Sequence, residues 1–390
     1  MGLGDGQRVG LFLATFFAAG AITTAYLPVW FADQGLTSAE IGQVLGLGSL
    51  LRVLTVPGWG WLADAVGRRR AVLFGGAALA ASAAALLPTA QGFLAILLVV
   101  AVQGVAASAL TPLSDALTLA LAAVRRLDYG RTRAYGSVAY MVATALGGVL
   151  LGRLGNGMVP WMVAGFYALT CALTPALPGV IAPAAAVRLQ QGPLFNRSFR
   201  LALVAMALVQ GAHAAYYGFA TLHWRSAGIQ DGAIGLLIAE GIVAEVALFI
   251  WGRRLVERLG PARLTAVAAA ASIVRWTATA FVTDVPALAV VQLLHAGTFA
   301  CQHLSTMLVL RTMPAHRAGT AQALMSALGF SAPTGLLIWF SGQIYGEAGG
   351  LTFLVMAVIG GSALLLVPAL ARTFPRPGPH PGPRAAAHRP

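Results

Sequence analysis

Eight ionisable side chains interrupt long apolar stretches of this sequence, and their types suit proton-transfer chemistry. They are Arg52, Asp115, Glu240, Glu245, Arg275, His213, His295 and His303. A charge at the centre of a bilayer costs about 2.5 kcal/mol or more, so such groups are functional-site candidates by default. Carboxylates and histidines can change charge near neutral pH when their surroundings change. The acid of the eighth apolar stretch, the arginine of the ninth and a histidine of the tenth therefore predict a proton relay.

The depth of each group follows from its separation from the nearest arginine flanking the stretch, at about 1.5 Å per residue. This predicts a midplane layer that consists of His213, Glu240, Arg275 and His295. A lower layer consists of Glu245 and His303. The two glutamates are five residues apart, about 140° around a helix, and cannot share a face. We therefore expect one of them to be functional and the other to be paired or at the lipid margin.

In the first half of the chain, Arg52 and Asp115 lie at similar depth. Because an unpaired buried charge is expensive, we expect these two side chains to pair. The pair would be either a structural bridge between helices or part of a substrate site, and the sequence leaves both open.

Polar side chains recur at helical spacing on three of the apolar stretches, so each set shares one helix face. The rows are Ser108, Thr111, Asp115 and Thr118; Gln210, His213, Tyr217, Thr221 and Trp224; and Gln292, His295, Phe299 and Gln302. A polar face in a membrane helix lines either a helix contact or a water-filled cavity. We interpret "QGAHAAYYGFATLHW" as one wall of a central cavity with His213 as its main candidate. The alternative is a core histidine bonded to a backbone carbonyl.

These stretches belong to a chain that is 58% hydrophobic and 9% charged, whereas a soluble domain has about 25% charged residues. Crossing a bilayer takes about 20 apolar residues. The stretches of that kind are Val9–Phe31, Ile41–Leu62, Ala71–Leu87, Phe93–Val124, Tyr135–Leu151, Met158–Leu177, Leu201–Trp224, Ile234–Trp251, Leu264–Val282, Val285–Leu310, Thr320–Ile344 and Leu351–Ala371. The predicted fold class is an all-α polytopic membrane protein with twelve transmembrane helices in two pseudo-repeated six-helix bundles.

Arginines are concentrated in alternate loops, with clusters after the second, fourth, sixth and eighth stretches. The positive-inside rule then places both termini in the cytoplasm. The net charge of +13 belongs to these loops, which argues against a nucleic-acid partner. Both cysteines lie within apolar stretches, so no disulfide framework is predicted. We expect a multi-pass protein of a bacterial inner membrane.

A repeated loop divides the chain into two halves. "LADAVGRRR" follows the second stretch, and "LVERLGPAR" follows the eighth with the same spacing of acid, glycine and arginine, 193 residues later. Many transporters are built from such parallel repeats, with the substrate site between the halves near the midplane. The predicted organisation is a six-helix bundle over 1–178, a cytoplasmic linker over 179–200, a second bundle over 201–373 and a disordered Pro-rich tail over 374–390.

The first copy of the loop carries a family resemblance. Gly60, Asp64, Gly67, Arg68 and Arg69 of "GWGWLADAVGRRR" fill the places of a known motif. It resembles the loop after the second helix of the major facilitator superfamily. The resemblance implies a gate in which the aspartate and the helix end pair with basic residues of a neighbouring helix while the cytoplasmic side is closed. The alternative is a tight turn with ordinary positive-inside arginines.

Further segments carry a more specific resemblance: "LDYGRTRAYGSVAY", "QGAHAAYYGF", "IVAEV", "VRW" and "VVQLLHAGTFACQHLSTM". They resemble the 3-phenylpropionate (cinnamate) permease family, a branch related to proton-coupled sugar and nucleoside symporters. The resemblance implies uptake of a small aromatic carboxylate with a proton, driven by the proton gradient and without a cofactor. It puts Glu245, Arg275, His213, His295 and His303 on matching motif positions, whereas Glu240 falls outside the motif.

A permease for an aromatic acid needs a cation for the carboxylate and flat apolar surfaces for the ring. Arg275 or Arg52 would supply the cation. The ring surfaces would come from Tyr216, Tyr217, Phe219, Trp276 and Phe299, for each of which ordinary packing is the alternative. The candidate substrate-binding set is Arg52, Asp115, Gln210, Tyr216, Tyr217, Gln292, Phe299 and Gln302.

Other functions stay open on the sequence. A proton-coupled sugar or nucleoside symporter or a drug:proton antiporter would share the fold. The fifth stretch, "SVAYMVATALGGVLLG", lacks the Gly-Pro signature usual in such exporters. A membrane sensor or enzyme is a different class, but the sequence holds no metal-ligand cluster, nucleophile–base motif or soluble domain. The expected partners are a small-molecule substrate, protons and the lipid bilayer, with the protein acting as a monomer.

Overall fold

The computed structural model describes residues 3–124, 126–179, 196–314 and 317–374, and these residues form helices and turns without a strand. The first ten membrane-spanning helices, α1 to α10, are Asp5–Asp33, Ser38–Val66, Arg69–Thr89, Gly92–Ala123, Tyr129–Leu154, Asn156–Ala176, Arg197–Ser226, Asp231–Trp251, Arg254–Phe281 and Val285–Leu310. Each is long and apolar enough to cross a membrane.

The last apolar stretch, Gly319–Thr373, contains two helices. It is 55 residues long, which would be about 80 Å as one helix, whereas a bilayer core is about 30 Å thick. The chain turns at Gly349, where φ is 52°, and a 3-10 segment over Gly349–Leu351 begins the return. We therefore assign α11 to 319–348 and α12 to 349–373. Twelve helices in the described residues confirm the predicted fold class.

Two helix starts differ from the predicted spans for local reasons. α5 begins at Tyr129 rather than Tyr135, because the Asp128 carboxylate accepts a hydrogen bond from the Arg131 backbone N–H at 2.7 Å and caps the helix. The α9 stretch begins inside the arginine-rich loop and is broken at Gly260, where φ is 69°. Gly67 has a φ of 65° at the matching place of the first half. Both copies of the loop repeat thus use glycine for a conformation that other residues avoid.

Four helices are irregular near their middle. α4 is interrupted between Gly92–Ala107 and Leu110–Ala123, and α7 between Arg197–Gly211 and Ala214–Ser226. α10 and α11 contain π-helical segments over Ala296–Ala300 and Met325–Ser331. π-Helical segments are frequent at functional sites. The irregular parts of α7 and α10 lie next to each other and hold the site described below.

The helices form two bundles. In the first half α1 packs on α5 and α6, and in the second half α9 packs on α10 and α12. The halves meet mainly along α2 with α11 and α5 with α8, and also along α1 with α7. The predicted linker and tail fall largely on residues 180–195 and 375–390, outside the described residues, so those two boundaries stay predictions.

Small residues allow the two halves to approach closely at one end of the molecule. We call the end that carries Asp33, Asn156 and Arg225 the outer end, and the end that carries Asp64 and Gly260 the inner end. Toward the outer end, Gly42 of α2 meets Gly342 of α11, and a Cβ added at Gly342 would lie 2.7 Å from the Gly42 Cα. A Cβ added at Gly235 of α8 would lie 2.6 Å from the Thr144 carbonyl oxygen of α5.

The hydrogen bonds seen between described residues of the two halves also lie toward the outer end. Thr221 Oγ1 donates to the Ala25 carbonyl at 2.7 Å, and Arg225 Nη2 donates to Asn156 Oδ1 at 2.6 Å. Arg225 also binds Asp231, at 2.5 and 2.6 Å, and Asn156 Nδ2 donates to Asp33. The outer end is therefore closed by tight packing and by a polar bridge.

The Gly42–Gly342 crossing predicts the effect of one added methyl group. Gly342→Ala should disfavour outer-end closure by about 1–3 kcal/mol, because overpacking forces the backbones apart. Spin-label distances between the outer ends of α2 and α11 should lengthen. Gly346→Ala is the matched control, since its Cβ would meet Ser38 Oγ at an ordinary 3.8 Å. Unchanged distances in Gly342→Ala, or an equal change in both variants, would contradict the account.

Candidate functional site

A buried arginine in α9 organises the site of the second half. Arg275 is 0% exposed. Its Nη1 donates to His295 Nδ1 at 2.8 Å and to Thr298 Oγ1 at 3.0 Å, and its Nη2 donates to Gln292 Oε1 at 3.0 Å. The guanidinium carbon lies 4.7 Å from the centre of the Tyr216 ring and 4.5 Å from that of Trp276. Hydrogen bonds and cation–π contacts together stabilise the buried charge.

The hydrogen bonds of His295 fix its tautomer and lead to an acid. A guanidinium can only donate, so His295 Nδ1 accepts and the ring proton is on Nε2. His295 Nε2 lies 3.1 Å from Glu245 Oε2 and therefore donates to that carboxylate. The Glu245 side chain is 17% exposed, so water can reach it. Arg275, His295 and Glu245 form a continuous chain from the core of the second half to an accessible carboxylate.

His213 lies behind this chain rather than on a cavity wall. It is 0% exposed, its Nδ1 donates to the Val209 carbonyl at 3.0 Å, and its Nε2 is 3.1 Å from Thr298 Oγ1. The expectation that His213 lines a cavity is wrong, and the alternative of a core histidine bonded to a backbone carbonyl describes it. The break in α7 at this residue turns its ring towards α10. Tyr217, one turn further on, is the half-buried member of the row.

Aromatic rings continue the site along α10. The rings of His295 and Phe299 stack with centres 5.3 Å apart, and those of Phe299 and His303 with centres 6.4 Å apart. Phe330 of α11 meets the Phe299 ring edge-on at 6.4 Å. Phe299, His303 and Phe330 are half-buried and thus form a partly accessible flat surface. Phe219 and Trp276 are 0% exposed and serve as packing.

The amide side chains of the predicted rows have different environments. Gln292 accepts from both Arg275 and Tyr216, the latter at 3.2 Å. Gln210 Nε2 donates to the Phe299 carbonyl at 3.3 Å, within the π-helical segment of α10. Gln302 is 0% exposed, and neither of its amide atoms has a partner among the described residues.

The structure corrects two predicted groupings of charges. Glu240 has no hydrogen bond or ion pair with the network of Arg275 among the described residues: the acid in contact with that network is Glu245, which the depth estimate had put in a lower layer. Asp115 does not pair with Arg52. It faces Arg133 of α5, with 3.8 Å between Oδ1 and Nε. Depth alone cannot give the direction of a side chain.

The loop motif at the inner end is present as a local turn. Gly67 ends α2 with a left-handed conformation, and the exposed Asp64 binds Arg69 of the same motif at 3.2 Å. A Cβ at Gly60 or Gly67 would meet no other atom within 4 Å. The pairing of the motif across to another helix stays a prediction. Arg68 lies beside this turn as the residue before α3.

Thr298, Arg225, Asn156 and Asp33 were not identified from the sequence. Thr298 bridges His213 and Arg275, and the other three form the outer-end bridge. No spacing signal links them, because they come from helices and loops far apart in the chain. Among the described residues, no group of three or more His, Cys, Asp or Glu side chains is placed to hold a metal ion.

Comparisons with known proteins show the family of the chain. The model of the MFS_1 like family matches residues 8–355. The chain belongs to this family. A protein of Escherichia coli (strain K12) named "Probable 3-phenylpropionic acid transporter" is 32% identical over 91% of this chain and 95% of its own length. The maltose permease of Geobacillus stearothermophilus is 29% identical, over 92% and 93%.

The fold is also shared with a solved structure. The crystal structure of the nucleoside transporter NupG superposes with a TM-score of 0.76 and 17% identity, over 96% of this chain and 100% of that chain. An identity this low shows the fold alone. Family and fold together make the protein a transporter of the major facilitator type and not an enzyme.

The environment of Arg275 predicts that replacing this residue with lysine destabilises the transporter. A lysine ammonium lacks the planar guanidinium that joins His295 to Gln292 and that contacts two aromatic rings. Arg275→Lys should lower the free energy of unfolding by at least about 1.5–3 kcal/mol, the contribution of one hydrogen bond to a charged group. Thermal unfolding in detergent measures this. Arg153→Lys, at an exposed position of α5, is the control, and equal stability of the two variants would contradict the prediction.

Proposed function

We propose that the transporter takes up a small aromatic carboxylate together with a proton, by alternating access. The observation that carries the proposal is the hydrogen-bonded chain from Arg275 through His295 to the accessible Glu245. A proton-coupled carrier needs a group that gains and loses a proton near neutral pH and whose charge state changes the packing around it. The name of the 32% identical relative supports the solute class.

The tautomer of His295 determines where the transported proton binds. A second proton on His295 would make Nδ1 a donor and break its 2.8 Å bond with Arg275. The proton therefore binds Glu245. Protonated Glu245 no longer presents a full carboxylate to His295, nor to Arg133 of the first half, which is close enough to interact with it electrostatically. Protonation thus weakens an attraction between the halves.

The flat surface beside the network suits the ring of the solute. Phe299, His303 and Phe330 offer stacked and edge-on faces at half-buried positions, and Tyr217 stacks against His213 at the same level. Aromatic rings prefer such offset or edge-to-face contacts. A phenyl group bound there would lie next to the proton-binding carboxylate, so that solute and proton occupy one region.

A sugar is the second candidate solute. The maltose permease relative covers most of this chain. Buried amides with unused hydrogen-bonding atoms, those of Gln210, Gln292 and Gln302, would suit hydroxyl groups. The aromatic acid is preferred because the relative of higher identity carries that solute in its name.

The membrane setting completes the proposal. Arginine-rich loops at the inner end favour an orientation with both termini in the cytoplasm of a bacterial cell, in the inner membrane. A closed outer end then corresponds to a carrier that faces inward. The two halves pack against each other within one chain. We propose that the protein functions as a monomer.

Liposomes that contain the purified transporter provide the test. With an acidic exterior, 3-phenylpropionate should accumulate faster than in protein-free liposomes, which correct for passive entry of the neutral acid, and a protonophore should abolish the difference. Glu245→Gln should lose this gradient-driven uptake and retain exchange of internal for external solute, because it removes the proton site and keeps the side-chain shape.

Glu240→Gln is the matched control on the same helix. It should accumulate the solute like the unaltered protein, because no hydrogen bond or ion pair links Glu240 to the described residues of the network. Uphill uptake that survives in Glu245→Gln, or that is lost only in Glu240→Gln, would contradict the assignment of the proton site. Accumulation of maltose and not of the acid would favour the second candidate.

A further inference from the structure

Arg52 is a charged residue that has no counter-charge among the described residues. It is the central residue of the helix Ser38–Val66, so each end of α2 is about 20 Å away. No described carboxylate lies within ion-pair distance of its guanidinium, and no hydrogen bond to a described residue holds it. The side chain is nevertheless solvent-accessible. A permanent charge at this depth without a partner is costly unless water or a ligand neutralises it.

The direction of Arg52 shows that its accessible surface is inside the molecule. Gly48, Arg52, Thr55 and Trp59 share one face of α2 by their spacing. That face packs on α4: Thr55 Oγ1 is 3.0 Å from Ser108 Oγ, and Trp59 Nε1 donates to the Val105 carbonyl at 2.8 Å. The side of α2 that faces away from the protein is marked by the exposed Leu54, about 160° away from Arg52. Arg52 therefore opens into a water-accessible space between helices and not towards lipid.

The terminal nitrogens of the other intramembrane arginine, Arg275, already have partners, although its Nε has none among the described residues. Arg275 is fully buried, donates from both terminal nitrogens to three partners and has two aromatic rings against its guanidinium. A carboxylate cannot reach it without breaking the network. Arg133, near the inner end, faces Asp115 and lies over the Phe17 ring at 4.1 Å. Of these three arginines, only Arg52 has a guanidinium without a hydrogen bond or ion pair to a described residue.

We propose that Arg52 binds the anionic group of the transported solute. The inference rests on the proposed function and deepens it: the solute is a small monoanion whose carboxylate takes the guanidinium in a two-point contact. When the space between the halves closes, Arg52 loses its water. The bound anion then supplies the counter-charge that the described residues do not provide, so that closing with the solute is easier than closing without it.

The anion and the proton then bind to different halves of the protein. The anion binds the first half at Arg52 on α2, and the proton binds the second half at Glu245 on α8. The ring of the solute spans the interface towards Phe299. A neutral analogue of the same shape, such as 3-phenylpropanamide, keeps the ring contacts and lacks the contact with Arg52.

Binding to the purified full-length transporter tests this inference with two ligands and three variants. Arg52→Gln should weaken the binding of 3-phenylpropionate roughly 10- to 100-fold, as expected for the loss of a charge-assisted contact. Its affinity for 3-phenylpropanamide should be unchanged, so the preference of acid over amide disappears. Arg52→Lys should retain part of the preference, and Arg153→Gln, at an exposed position outside the site, should retain all of it.

A purely structural role for Arg52 gives a different result. In that case Arg52→Gln would weaken the binding of the acid and of the amide equally. That result, or an undiminished affinity for the acid, overturns the inference. A measurement on the unaltered protein tests the inference even if the variant does not fold. Phenylglyoxal should modify Arg52 in the free transporter, and 3-phenylpropionate but not the amide should protect it, as read by peptide mass spectrometry. Absence of protection also overturns the inference.

The same experiment separates this inference from the proposed function. If the unaltered transporter binds the acid and Arg52→Gln binds it equally well, the proposed function stands and only the role of Arg52 falls. If the unaltered transporter binds maltose and no aromatic acid, the proposed function fails and the role of Arg52 falls with it.

Discussion

The buried guanidinium of Arg275 is the group on which the second half of the structure depends. A permanent charge among membrane helices is tolerated only when its donors and faces have partners. Thr298, in the π-helical segment of α10, is one of these partners, and the break in α7 places His213 against the same hydroxyl. The network then extends through His295 to Glu245. The charge balance of the site therefore changes with a single proton on one carboxylate.

The two halves share the remaining tasks unequally. At the outer end they are held together by backbone contact at Gly42 and Gly342 and by the bridge between Arg225 and Asn156. At the inner end Asp64 binds within its own loop. We propose that Glu245 also attracts Arg133 of the first half across the interface. In a proton-coupled carrier, proton binding at Glu245 would act on a contact that alternating access has to break and remake.

Much of this architecture follows from the sequence, and the limits have a physical cause. Twelve spans, the half-length repeat and the membership of Arg275 and His295 in one layer follow from hydropathy and a constant rise per residue. The partner of Asp115 does not, because depth fixes height along a helix and not direction around it. The sequence does not distinguish Thr298 from the other hydroxyl side chains, because it is the π-helical segment of α10 that places it between a histidine and an arginine.

Proton flow driven by the solute tests the central claim most directly. In liposomes with equal pH on both sides, 3-phenylpropionate added outside should acidify the interior, as read by an enclosed pH dye. The account predicts acidification in excess of that in protein-free liposomes, with one proton for each solute molecule carried. Solute entry through the transporter without any excess proton entry would contradict it.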